Sequence, residues 1–169
     1  ETQIKQSRQL FLFIHHYFQE RLVEEIKRAE RTGNPLTLLM ADLDHFKVVN
    51  DKYGHPQGDI ILKGTANIIH QNIRSFDIPS RYGGEEFAVI LADTDIVSAS
   101  HIAERLRKKI DEAVYKTDTD DIRISISIGI AQYDPEKDLN SKDLIKRADT
   151  ALYTAKAKGR NKVIIFNEI

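Results

Sequence analysis

Apolar residues recur at helical spacing through residues 9–31, at Leu10, Ile14, Phe18, Leu22 and Ile26, with charged residues between them. That period predicts an amphipathic helix. Thr32-Gly33-Asn34-Pro35 breaks it. Leu36–Asp42 (LTLLMAD) is a compact apolar run closing on a carboxylate, which predicts a central strand. Two helical segments follow, over 44–53 and 58–72, divided at Gly54-His55-Pro56. Asp77–Tyr82 and Glu85–Leu91 read as strands joined by Gly83-Gly84 in a two-residue hairpin. A long helix with a basic exposed face spans 96–114. Over 122–130 isoleucine alternates with Arg, Ser, Ser and Gly, the period of a strand buried on one side. A helix over 141–158, stopped by Gly159, and a short strand over 163–166 complete the pattern.

The order after the first helix is that of an α+β, ferredoxin-like fold, a palm-type antiparallel sheet flanked by helices. Residues 1–32 form a helical lead and 33–169 the domain proper. In such a sheet the first and third strands are antiparallel neighbours, so Asp42, which ends one, meets Glu85, which begins the other.

Composition narrows the partners. With 169 residues, 41% hydrophobic and 30% charged, the chain suits one soluble domain. A net charge of -1 gives no support to a nucleic-acid groove. Without cysteine there are no disulfides, thiolate ligands or thiol nucleophiles, which fits a cytoplasmic location. No apolar run approaches the roughly 20 residues that span a bilayer. The chain opens at Glu1 rather than Met, so the expectation is a longer protein with a sensory or receiver domain upstream, free to be membrane-anchored through its missing N-terminal part.

Charges at the mouth of a core strand are costly unless a metal or partner charge meets them. Carboxylates converging beside a loop-to-helix junction suit Mg²⁺, which takes oxygen ligands and keeps places for water and phosphate. The run Leu43-Asp44-His45-Phe46-Lys47 enters a helix whose free N–H groups can cradle a polyphosphate. Together these point to metal-assisted phosphoryl or nucleotidyl transfer.

RYGGEEF, ADLDHFKVVNDKYGHPQGD, SISIGIA and RADTALYTAKAKGRNKV occur in that combination from about Phe18 to Phe166. The chain resembles the GGDEF family of diguanylate cyclases, in its GGEEF form. The resemblance implies condensation of two GTP into cyclic di-GMP with release of pyrophosphate, by a homodimer whose domains each bind one GTP and two Mg²⁺, with Mn²⁺ as an alternative. It implies that Asp42 and Glu85 bind metal, that Leu43 lends a backbone carbonyl, and that Glu85 helps deprotonate the attacking 3′-hydroxyl. Glu86 is a further activity residue. Asn50 and Asp59 read guanine, with His55 close by. Phe46 lies on the substrate loop, Lys47, Lys156 and Arg160 face the triphosphate, and Gly83 and Gly84 leave room for phosphate. Lys156 and Arg160 are four apart, expected on one face at a helix end. Arg74-Ser75-Phe76-Asp77 stands five residues before Gly83, the spacing of the family's R-x-x-D inhibitory site for product.

The family's opening D-x-L-T-G-L-x-N-R-R pattern is replaced by Ser7–His16, which bears on the N-terminal turn and its coupling to an upstream helix. His15-His16 is not read as a metal pair, because adjacent helical residues diverge. One rival reading is a catalytically silent domain that binds GTP or cyclic di-GMP as a regulatory module, yet GGEEF is intact. Another is a mixed adenine–guanine product, yet Asp59 is present.

Overall fold

The computed structural model describes residues 2–167, with side chains from residue 14 onward; Ser7–Phe13, including Leu10, lie outside the described side chains. The elements are α1 (Thr2–Thr32), β1 (Thr37–Leu43), α2 (Phe46–Tyr53), α3 (His55–Asn72), β2 (Ile78–Arg81), β3 (Glu86–Leu91), α4 (Ile96–Glu112), β4 (Tyr115–Lys116), β5 (Asp121–Ile122), β6 (Ile126–Gln132), α5 (Ser141–Ala157) and β7 (Val163–Ile165). A five-stranded sheet runs β2-β3-β1-β6-β7, antiparallel except for the β6–β7 pair. The ferredoxin-like α+β expectation is met, with β7 as an added edge.

All seven residues of β1 are buried, because both faces of the sheet are covered. Leu39, Ala41 and Leu43 join Phe87, Val89, Ile128 and the inward residues of α3 and α4. Leu38 and Met40 join Ala88 and Ile90 beneath α1 and α5. Phe18 and Leu22 of α1 are fully buried there; such burial contributes about 1.5–3 kcal/mol per side chain. The second half of α1 is therefore part of the domain's core, not only a lead into it. No helix among the described residues is long and apolar enough to cross a membrane.

Several boundaries differ from the sequence reading. Only Gly54 divides α2 from α3, because Pro56 sits in the first turn of α3, where its missing N–H costs nothing. The strand expected over 122–130 is broken. Asp121–Ile122 pairs with Tyr115–Lys116 in a small separate ribbon, and the long strand starts at Ile126.

The close seat of α5 on the sheet depends on Gly129 of β6. A Cβ there would stand 2.2 Å from the Leu152 backbone nitrogen and 2.4 Å from the Ala148 carbonyl oxygen. The helix axis can approach only because no side chain intervenes. That fixes the C-terminal end of α5 above the mouth of β1. At the far edge of the sheet, β2 is only four residues long and contains Pro79.

Candidate active site

The carboxylates meet on the rim, but with a changed register. Asp42 lies opposite Glu86, not Glu85, in the β1–β3 ladder. Glu85 belongs to the turn, and its carbonyl accepts the Leu43 N–H at 3.2 Å. The hairpin loop is accordingly Tyr82-Gly83-Gly84-Glu85, closed by the Tyr82 N–H on the Glu86 carbonyl at 2.8 Å, instead of a two-residue turn. Released from the pleat, Glu85 reaches the cleft from outside the sheet. A Cβ on Gly83 would stand 2.8 Å from Glu86 Oε2, while Gly84 has open space around it. The Arg81 guanidinium holds the loop by donating to the Gly84 carbonyl at 2.7 Å.

A cleft of about 220 Å³ gathers Asp42, Leu43 and Glu85 with Phe46, Lys47 and the two cations Lys156 and Arg160. The metal and triphosphate candidates thus share one space. Lys156 Nζ stands 2.8 Å from Asp42 Oδ2. Arg160 reaches the cleft by another route than expected. The helix ends at Ala157, and the chain then turns through Gly159, Arg160 and Asn161, all with positive φ (105°, 64° and 48°). The two cations therefore do not share a helical face; the turn brings Arg160 back beside Lys156.

Burial raises the Asp42 carboxyl above its usual range, with Lys156 opposing. Burial raises Glu85, and the Asp42 charge adds to it. Glu86 is raised in the same way, with Asp149 contributing. A rim of carboxylates that resist sharing negative charge is a rim that favours a cation. Among the described residues, no three histidine or carboxylate side chains cluster as a complete metal cage. Magnesium does not need one, since two carboxylates with substrate phosphate and water suffice. The all-oxygen donors and the ammonium already seated on Asp42 fit that ion.

Asn50 Oδ1 is buried without a hydrogen-bond partner. It lies against Gly58, where an added Cβ would stand 1.9 Å from it. Gly58 precedes Asp59, which is exposed and lines a neighbouring cavity of about 470 Å³ with Leu62, Arg81 and Phe87. An unpaired acceptor beside an open carboxylate suits a ligand offering N–H donors. His55 is exposed at the start of α3.

Arg74 and Asp77 lie at the other end of β2. Asp77 is wholly buried at its side chain, where its Oδ2 accepts the Arg74 backbone N–H at 2.8 Å. The Arg74 side chain is 44% exposed, its guanidinium donating to the Ala92 carbonyl at 3.1 Å and to Thr94. Arg74 lines a cleft of about 640 Å³ with Arg105 and Lys109 of α4, whose basic face was visible in the sequence.

In the sequence Ser125 and Ser127 stand out only as the polar half of a strand pattern. Their hydroxyls donate to Asp44, at 2.7 and 2.6 Å. No local signal announces a contact between residues some 80 apart. The ring of Tyr82, just ahead of the hairpin glycines, packs on His15 and Phe18 with centroids 4.7 and 5.4 Å away. The first helix therefore touches the rim through a residue of the departed opening signature.

The family model described as "Diguanylate cyclase, GGDEF domain" matches residues 12–162. Diguanylate cyclase A of Treponema denticola is 41% identical over 157 residues, covering 91% of this chain and 42% of the relative. The response regulator PleD of Caulobacter vibrioides is 40% identical over 150 residues, 88% of this chain and 33% of its own length. The chain therefore spans less than half the length of these curated relatives. Among solved structures, the active GGEEF domain of a diguanylate cyclase from Vibrio cholerae aligns with a TM-score of 0.86 at 30% identity, covering 92% of this chain and 97% of that one. The GGDEF domain of DgcB from Caulobacter crescentus, solved in complex with c-di-GMP, aligns with a TM-score of 0.85 at 31% identity over 89% of each chain. A family match across nearly the whole fold, with the GGEEF hairpin on its rim, makes this chain a member of the GGDEF domain family.

Proposed function

We propose that this domain condenses two GTP molecules into cyclic di-GMP. The observation that carries the reading is the single cleft in which Asp42 and Glu85 stand with Lys47, Lys156 and Arg160. Each domain holds one GTP, and two domains meet face to face. The 3′-oxygen of one GTP attacks the α-phosphorus of the other, the α–β phosphoanhydride bond breaks, and pyrophosphate leaves. The same step in the opposite sense closes the ring, so the homodimer is needed for turnover.

Lys47, Lys156 and Arg160 bind the triphosphate. Asn50 and Asp59 hold the guanine edge, with His55 beside them and Phe46 under the substrate loop. Glu85, at the mouth of the cleft, accepts the hydroxyl proton. Glu86, opposite Asp42, keeps the hairpin carboxylates at the rim. Asp42, Glu85 and the Leu43 carbonyl would hold two Mg²⁺ ions, whose charge would acidify the attacking hydroxyl and offset charge on the leaving pyrophosphate.

The cationic cleft of Arg74, Arg105 and Lys109 supports product feedback. In that role Arg74 forks onto guanine or phosphate, and buried Asp77 fixes its backbone. An upstream sensory or receiver domain supplies the input.

The test is to incubate the domain with GTP and Mg²⁺ and identify the product by mass. Cyclic di-GMP is expected, and Glu85→Gln should lower its formation by at least about two orders of magnitude with the fold intact. Tight GTP binding without turnover would replace the reading with a silent regulatory module.

A further inference from the structure

Asp44 is 4% exposed at the wall of the cleft, and both of its carboxylate oxygens are hydrogen-bonded by the protein itself. Oδ1 accepts the Ser127 hydroxyl at 2.6 Å, and Oδ2 accepts the Ser125 hydroxyl at 2.7 Å. Oδ2 also accepts the backbone N–H of Asn161 at 3.0 Å. Its own N–H donates to the Ser125 carbonyl at 2.9 Å. One side chain thus joins the loop after β1, the start of β6 and the turn after α5.

That turn is the unusual partner. Arg160 and Asn161 are consecutive non-glycine residues at positive φ, a conformation that persists only where the surroundings impose it. Asn161 is gripped twice. Asp44 takes its N–H, and Arg107 of α4 donates to its side-chain oxygen at 2.9 Å. Arg107 is in turn held by Glu104, at 2.9 and 2.6 Å. Between the two grips the chain presents Arg160 to the cleft that also holds Asp42 and Lys47.

We propose that Asp44 is a positioning residue for the substrate triphosphate: by holding the Asn161 N–H it keeps the Arg160 turn left-handed and sets where the guanidinium meets the phosphates. The inference rests on the GTP reading above. Arg107, remote from the cleft, braces the same turn from behind. Asp44 and Arg107 act through Arg160, in ground and transition state alike, so their loss appears in KM and not in kcat.

The experiment is a double-mutant cycle on GTP. Asp44→Asn keeps the shape and removes the charge-assisted bonds; it should raise the GTP KM about tenfold with kcat within about twofold. Arg107→Ala should raise KM about threefold in the same manner. In an Arg160→Ala background both effects should nearly vanish, since the group they position is gone. Equal effects with and without Arg160 would overturn the proposal, leaving Asp44 a fold stabiliser. Where Asp44→Asn fails to fold, the Arg107–Arg160 cycle decides alone. If the wild-type domain makes no product, the function reading fails, and the same cycle is read on GTP–Mg²⁺ affinity by calorimetry, where additivity again overturns the positioning role.

Discussion

Lys156 and Asp42 form an ion pair at 2.8 Å across the mouth of β1, joining the last turn of α5 to the strand end. Without metal, the ammonium satisfies a carboxylate that is nearly buried. In the proposed reaction a metal ion would take over Asp42 and free the same ammonium for phosphate. Lys156→Ala should therefore destabilise the metal-free domain by about 2 kcal/mol, the cost of a charged hydrogen bond lost. Saturating Mg²⁺ should recover part of that loss, because a cation again meets Asp42. Thermal unfolding with and without Mg²⁺ reads both numbers, and an unchanged metal-free midpoint would dismiss the pair as incidental.

The rim also sets a pH dependence. Asp42, Glu85 and Glu86 have folded proton affinities raised above their ordinary values of 3.8, 4.5 and 4.5, chiefly by burial. For a carboxylate raised on folding, the native state binds the proton more tightly than the unfolded chain. Its stabilising contribution is present below the unfolded value and is lost as pH rises through the folded one. Glu86→Gln should accordingly raise the metal-free melting midpoint at neutral pH and leave it unchanged near pH 4. A gain at acidic pH instead would reverse the sign and refute the account.

Gly58→Ala separates helix propensity from function. In an open helix the change adds up to about 1 kcal/mol of stability. Here the new methyl meets Asn50 Oδ1 at 1.9 Å and must displace it. GTP affinity should fall about tenfold, comparable to the loss of a charged hydrogen bond in Asp59→Ala. Calorimetry showing unaltered GTP binding would move base recognition away from Asn50.

At the distal cleft, Arg74→Ala should abolish slowing of the reaction by accumulated product without lowering initial velocity. Progress curves of wild type and variant compare the two directly. Wild-type curves that stay linear at saturating product would leave Arg74 a surface cation on Asp77.

Much of this was legible beforehand. The LTLLMAD and FAVIL runs are apolar on both faces, so their burial between two helical layers follows from composition alone. Asp42 near a strand end and a turn at Gly83-Gly84 follow from the same pattern, though the turn proves to be four residues long. The exact partner did not, because strand register depends on the loop, and a four-residue loop hands the ladder position to Glu86. The route of Arg160 was hidden for a similar reason. Gly159 marks the end of the helix, but nothing local shows that Arg160 and Asn161 stay left-handed after it or that the Asn161 N–H meets Asp44, 117 residues away. Ser125 lies before β6 and Ser127 within it, where both faces are buried, so their alternation with isoleucine says nothing of what their hydroxyls hold.

The short β2 edge bears on how copies of this domain meet. An outer strand with unpaired N–H and C=O groups invites a neighbour to extend the sheet. Here that strand has four residues, and Pro79 has no N–H to offer. At the opposite edge, β7 has three residues. Neither side is a good template for a continuous intermolecular sheet. Encounter between copies is thereby turned away from backbone zippering, and the helical faces and the carboxylate rim are left as the surfaces through which one molecule can address another.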